Sequence, residues 1–223
     1  MKKILSLMIF AALNTYSSCD LIKPLPGCEG TNGSSGTGYE FEIPFTISPA
    51  KDTFAIGDTI TIMSNFGDSL YNHLSQKYYQ IGDFDFLISI YINDLKTDPM
   101  IGTKNYSVFP VIGTTKEELS SIGKQFFIKH EYKENNHRYT AKIILQEAGY
   151  FVFSPQSFIS VYKLSDLEQH ITDCEYESVN LTYNTNHSID NNLYMNQFAA
   201  DNDIRNWTYE NIKMGGFYFF YVK

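Results

Sequence analysis

Apolar residues recur at every second position in several short runs of this chain, the period that a half-buried β-strand imposes. Across residues 84–93, Phe84, Phe86, Ile88, Ile90 and Ile92 alternate with Asp85, Leu87, Ser89 and Tyr91, so one face of the run is apolar. Residues 59–64 form a β-branched run after a Gly57-Asp58 turn signal. Residues 39–48 alternate in part but contain Pro44, which cannot donate to a ladder and so predicts an edge strand. Residues 125–132 and 137–145 flank Lys133-Glu134-Asn135-Asn136 and predict a hairpin with Glu131 opposite Arg138 and His130 opposite Tyr139. Residues 150–153 and 216–222 are further aromatic strands. Many short strands separated by turns predict a mainly β fold, an antiparallel sandwich rather than a parallel α/β sheet.

Helical signals are sparse. Thr115 with Glu118, and Ser165 with Glu168, match the capping box, in which hydroxyl and carboxylate satisfy the free amides of a helix start. The longest helical pattern spans residues 189–204, where Ile189, Leu193, Ala200 and Ile204 share a face after Ser188. Its many asparagines weaken it. The expected organisation is a segment 1–18, a tether 19–38 and a β-sandwich domain 39–223 with an irregular C-terminal portion, with a sub-boundary near residue 154.

The segment 1–18 reads as an export signal. Lys2 and Lys3 form a positive start, residues 4–13 form a short apolar stretch, and Ser17-Ser18 place small residues before Cys19. About ten apolar residues fall short of the roughly 20 needed to span a bilayer. A cysteine in that position is the lipidation site of a bacterial lipoprotein, where two or three acyl chains at roughly 0.8 kcal/mol per buried CH2 form a stable anchor. The competing reading is an ordinary secretory signal cut near Ser18. Residues 20–38, with Pro24, Pro26, Gly27, Gly30, Gly33, Gly36 and Gly38 among serine and threonine, have the composition of a flexible spacer.

Charge and cysteine content bound the partners. The chain has 17 basic and 25 acidic residues, and without Lys2 and Lys3 it keeps 15 against 25, a net of −10. No basic patch is left to neutralise phosphates, so nucleic acid is not an expected partner. Cys28 and Cys174 form a candidate disulfide in an exported protein, the alternative being two separate thiols.

Phe54-Ala55-Ile56-Gly57-Asp58-Thr59-Ile60-Thr61-Ile62, preceded by Ile47-Ser48-Pro49-Ala50-Lys51-Asp52, resembles the opening strands of Ig-like domains in Bacteroidota-type outer-membrane lipoproteins. Gly215-Gly216-Phe217-Tyr218-Phe219-Phe220-Tyr221-Val222-Lys223 is similar to their closing strand. The resemblance implies an Ig-like β-sandwich at the outer membrane, on either the periplasmic or the surface face. Asp58-Thr59-Ile60 and Asp68-Ser69-Leu70 also resemble the sites at which such bacteria O-glycosylate exported proteins, making Thr59 and Ser69 candidates. Plain turn chemistry is the other reading of both.

No catalytic constellation emerges. His130-Glu131 begins like H-E-x-x-H, but Glu134 stands where the second histidine belongs, and both His130 and His137 are expected to be exposed strand residues. Asp201-Asn202-Asp203 with Glu210 lacks the glycine and the terminal bidentate position of a calcium loop. Neither metal nor cofactor is expected. Seventeen tyrosines and 17 phenylalanines are mostly core material, yet Tyr78, Tyr79, Tyr183, Tyr194 and Tyr209 lie near polar residues. Trp207 is the candidate ligand contact if exposed and a packing anchor if buried. Three functional expectations follow: a non-catalytic, membrane-anchored binding or adhesion lipoprotein with a protein or glycan partner; a structural accessory subunit of an outer-membrane complex; and a hydrolase with a dispersed site.

Overall fold

The structure, a computed structural model, describes residues 38–121, 123–157, 178–188 and 191–223. Cys19, Cys28, Cys174, the spacer to residue 37, the Ser165–Glu168 pair and Ile189 lie outside the described residues. The strands, in chain order, are β1 (Gly38–Ser48), β2 (Thr53–Phe54), β3 (Thr59–Gly67), β4 (Ser69–Asn72), β5 (Lys77–Gln80), β6 (Ile88–Asp94), β7 (Ile101–Gly102) and β8 (Tyr106–Ile112). They continue as β9 (Thr114–Ser120), β10 (Gly123–Lys129), β11 (Glu131–Lys133), β12 (Asn136–Leu145), β13 (Gly149–Ser157), β14 (Ser178–Thr185) and β15 (Tyr218–Val222). Among the described residues, two helices, α1 (Asn202–Arg205) and α2 (Tyr209–Gly215), and two 3-10 segments, Asn186–Ser188 and Leu193–Phe198, precede the last strand.

Among the described residues the strands form two sheets that enclose one core, and the fold is a mainly antiparallel β-sandwich. One sheet runs β11-β12-β3-β1-β4-β5, with β14 on β1 and β8 on β12; the other runs β2-β15-β13-β6-β7-β10-β9, with β6 also paired to β10. Among the described residues three pairings are parallel: β1 with β14, β2 with β15, and β7 with β10. The first strands thus close each sheet against the last ones.

Period-two patterning explains the core. Phe41, Ile43 and Phe45 of β1 meet Ile88, Ile90 and Ile92 of β6, Phe126 and Ile128 of β10, and Phe151 and Phe153 of β13 in one cluster between the sheets. Each fully buried apolar side chain of this size stabilises the fold by about 1.5–3 kcal/mol. Aromatic rings pack edge to face, as in Phe45–Phe153 at 5.9 Å and Phe54–Phe220 at 5.8 Å between centroids.

The six residues 88–93 are all buried, because β6 is covered on both faces. Its odd-face neighbours Leu95, Val152 of β13 and Phe219 of β15 join Met195, Ala199, Ile204 and Ile212 in a second cluster. The portion expected to be irregular is therefore a short-helical layer packed on the second sheet.

Several expectations are corrected by this topology. The alternating run 84–93 begins its ladder only at Ile88, although Phe84 and Phe86 are buried in the core. β1 is not an edge strand: β14 covers one side, and β4 and β3 cover the other. Pro44 is tolerated because the antiparallel side has no pair between Phe41 and Thr46. The expected hairpin shrinks to three pairs, Glu131–Arg138 among them, because the chain crosses between sheets at His130 and β10 pairs with β6 and β9 instead. Thr115 and Glu118 lie in strand β9, where pairing with β10 overrides the local capping signal. The 189–204 pattern breaks at Asn191 and Asn192, both at positive φ, and resumes as a 3-10 segment and then α1.

Candidate functional site

The outer face of the second sheet is unequally covered. The helical layer sits over Leu95, Val152 and Phe219, while the far end of the same face, across β9, β10 and the segment leading into β6, carries a groove of about 340 Å³. Because Phe126 and Ile128 point into the core, Phe127 and Lys129 point outward. Their cross-strand partners Lys116 and Thr114 share that face, as does Glu118 opposite Gln125. Leu87, just ahead of β6, completes the floor with Phe127.

Two ion pairs flank this apolar floor. Lys129 Nζ lies 3.4 Å from Asp85 Oδ2, and Lys116 Nζ lies 2.6 Å from Glu118 Oε1. Both lysine side chains are more exposed than their carboxylate partners. Exposed pairs of this kind contribute only about 0.2–1 kcal/mol, so a charged ligand group can open either at little cost. Tyr91, buried on the same face, has its ionisation pushed up by burial and by the Glu118 charge. Next to it, Gln125 Oε1 is buried with no hydrogen-bond partner among the described residues. The groove can therefore hold an amphipathic segment: an apolar group on Leu87 and Phe127, and charges of either sign at the rim.

Beside the groove runs a ribbon that belongs to both sheets. β8 pairs with β12 in the first sheet, Gly113 turns at φ 77°, and β9 pairs with β10 in the second. A Cβ at Gly113 would stand 2.4 Å from the Lys129 carbonyl oxygen, which only glycine avoids. Phe109, Val111 and Leu119 on this ribbon are 51%, 59% and 67% exposed. β8 is blunted by Pro110 and a register shift between Thr140 and Ala141, whereas β9 pairs regularly over all seven residues.

The residues singled out in the sequence are scattered. Thr59 is exposed at the start of β3; Ser69 is half-buried and pairs with Gln80. Asp58 accepts hydrogen bonds from the Ala55 amide at 2.9 Å and from Lys51 Nζ at 3.0 Å, which hold its carboxyl below the usual range. Trp207 is half-buried and stacks on Phe217 at 4.4 Å, so one ring face is committed to the second cluster. Tyr79 and Tyr183 are buried, while Tyr78, Tyr194 and Tyr209 are exposed. Asp201 caps α1, its Oδ1 accepting from the Asp203 amide at 2.7 Å.

The histidines are a correction. His130 and His137 are 7% and 2% exposed, not surface residues. His137 Nε2–H donates to the Gly82 carbonyl at 2.7 Å, and the ring stacks on Phe66 at 4.8 Å. His130 Nε2 bonds Ser64 Oγ at 3.0 Å, and burial pushes its pKa down to about 3. Among the described residues no group of three or more His, Cys, Asp or Glu is placed to hold a metal ion, and no helix is long and apolar enough to cross a membrane.

Sequence reasoning missed the groove and ribbon because Thr115 and Glu118 looked like a cap. Pro110 within Phe109-Pro110-Val111-Ile112 was the available signal of an edge strand.

No protein-family model matches the chain, and no curated protein matches it. Among solved structures it is similar to a type II cohesin domain from the cellulosome of Acetivibrio cellulolyticus, with 13% identity and a TM-score of 0.29 over 55% of this chain and 78% of that one. It is also similar to the type II cohesin dyad from the adaptor ScaA scaffoldin of the same organism, with 13% identity and a TM-score of 0.30 over 54% of this chain. The chain covers 39% of that dyad. Overlap at this level carries no argument about fold or partner, and the sandwich rests on its own strand pairing.

Proposed function

We propose that this chain is a lipid-anchored, non-catalytic binding module of a bacterial cell envelope, and that its contact site is the groove over Leu87 and Phe127. Cys19 carries the acyl chains in this reading, the Gly/Ser/Pro-rich stretch to residue 38 is the spacer, and the sandwich is the rigid body presented. The observation that carries it is the groove's lining: an apolar floor between two weak, exposed ion pairs on a framework of paired strands. That chemistry fits a polypeptide segment bearing an apolar residue flanked by charge.

Two measurements test the two halves. Metabolic labelling with an alkyne fatty acid should tag the wild-type chain and leave Cys19→Ala untagged; label retained in the variant refutes the anchor. A photo-crosslinking phenylalanine analogue at position 127 should give one discrete protein adduct in intact cells, absent with Leu87→Glu and absent when the analogue replaces Asn65 on the other sheet. Equal adducts from both positions would refute the groove. Binding of the protein to a glycan array, abolished by Leu87→Glu, would transfer the site to a sugar ligand.

A further inference from the structure

The exposed edges of the sandwich differ in what they can accept. β2, β5 and β11 have two, four and three residues, too short to template a partner strand. β8 has Pro110 and its bulge, and β14 lies against α2, with a bridge between Tyr183 and Gly215. β9 remains: seven residues, regularly paired on one side, with no strand on its other side among the described residues.

We infer that β9 is a self-complementary edge, through which two copies of this chain pair antiparallel with Lys116 of each opposite Glu118 of the other. Register selects this pairing. A two-fold axis perpendicular to the sheet keeps outward faces together, and the residue on the axis then meets its own copy. An axis at Lys116 sets lysine on lysine, and one at Glu118 sets glutamate on glutamate. An axis at Glu117 sets Lys116 on Glu118 twice, and on the inward face sets Leu119 on Thr115 twice. That register covers Leu119, which is 67% exposed in the single chain.

The opposing contact is Glu117 against its copy. Each Glu117 is already neutralised within its own subunit, where Lys124 Nζ lies 2.9 Å from Glu117 Oε2 and 4.5 Å from the Tyr106 ring centroid. The chain's net charge of −8 repels a second copy at long range, and a Debye length of about 8 Å in physiological salt confines that repulsion. The pairing joins the two second sheets into one and places both grooves on the same side of it. A single chain offers one groove; the pair offers two, held at a fixed spacing.

Charge-swap variants of the full chain, purified in mild detergent and weighed by light scattering across a dilution series, test this. Wild type should reach dimer mass. Lys116→Glu alone and Glu118→Lys alone should each self-associate about tenfold more weakly, because two attractive contacts become repulsive. An equimolar mixture of the two single variants should form one-to-one heterodimers, and the double variant should dimerise like wild type. A wild type that stays monomeric throughout, or single variants that dimerise normally, overturns the inference. So does a mixture that fails to pair while both variants keep the native circular dichroism. The lipid label is independent of self-association, and a position 127 adduct of twice the chain mass is a second copy while any other mass is a partner in the groove, so the two readings fail separately.

Discussion

His130 sits where the chain leaves the second sheet for the first, and burial there decides its protonation. Its ring meets Phe66 at 5.0 Å and Tyr139 at 6.1 Å, edge to face, and its Nε2 bonds Ser64. Burial depresses its pKa from 6.5 to about 3, and the nearby His137 pushes the same way. Between those values the unfolded chain binds a proton that the native one does not, so stability falls as pH drops below about 6.5. Each pH unit costs up to about 1.4 kcal/mol per such group, or about 2 kcal/mol between pH 6.5 and 5. His137 adds loss of the same sign, since burial outweighs the Gly82 bond and the Asp85, Asp68 and Asp83 charges. Urea denaturation should show His130→Gln less stable than wild type at pH 7 but losing less stability on passing to pH 5. Equal losses in the two proteins would show that His130 does not set the acid limb.

At the scale of elements, the ribbon from β8 to β9 depends on Gly113. Its φ of 77° and the 2.4 Å approach of a notional Cβ to the Lys129 carbonyl leave no room for a side chain. Gly113→Ala should lower stability by about 1–3 kcal/mol through backbone strain and a displaced carbonyl. Hydrogen exchange localises the effect: amides of β9 and the Lys129 end of β10 should open faster, while those of β14 keep their protection. Uniform loss would mean that Gly113 is no local hinge. The same element marks the limit of reading strands from sequence. Alternation at Ile88, Ile90 and Ile92 was legible because a sandwich core demands period two on each inward face. The Glu131–Arg138 register, with its 2.9 Å ion pair, was legible because the turn after Lys133 is local. What failed is long-range. Nothing near His130 announces a crossing between sheets, Pro44 hides a gap between two neighbours, and Thr115 carries a cap signal that β10 overrules. The groove unites Asp85, Lys116 and Lys129 from three separated segments, and only pairing brings them together.

For the molecule as a whole, the second sheet is the shared wall of two cores. Along β15, Tyr218, Phe220 and Val222 face the first sheet, while Phe219 faces the helical layer; β13 divides likewise into Phe151 and Phe153 against Val152. Neither cluster can lose its side of these strands without exposing the other, so layer and sandwich should unfold as one unit. Trp207 makes this measurable. It is the chain's single tryptophan, it packs in the second cluster, and it stacks on Phe217 immediately before β15, so its fluorescence reports the helical layer alone. Far-ultraviolet circular dichroism reports chiefly the strands. In urea the two signals should share a midpoint and a slope, and Val152→Ala, which removes contacts from the second cluster only, should lower the stability read by both signals by about 1–3 kcal/mol. A tryptophan transition at lower urea than the strand transition would instead make the helical layer an independently melting cover. The second sheet's outer face would then be exposed over its whole width before the sandwich itself gives way.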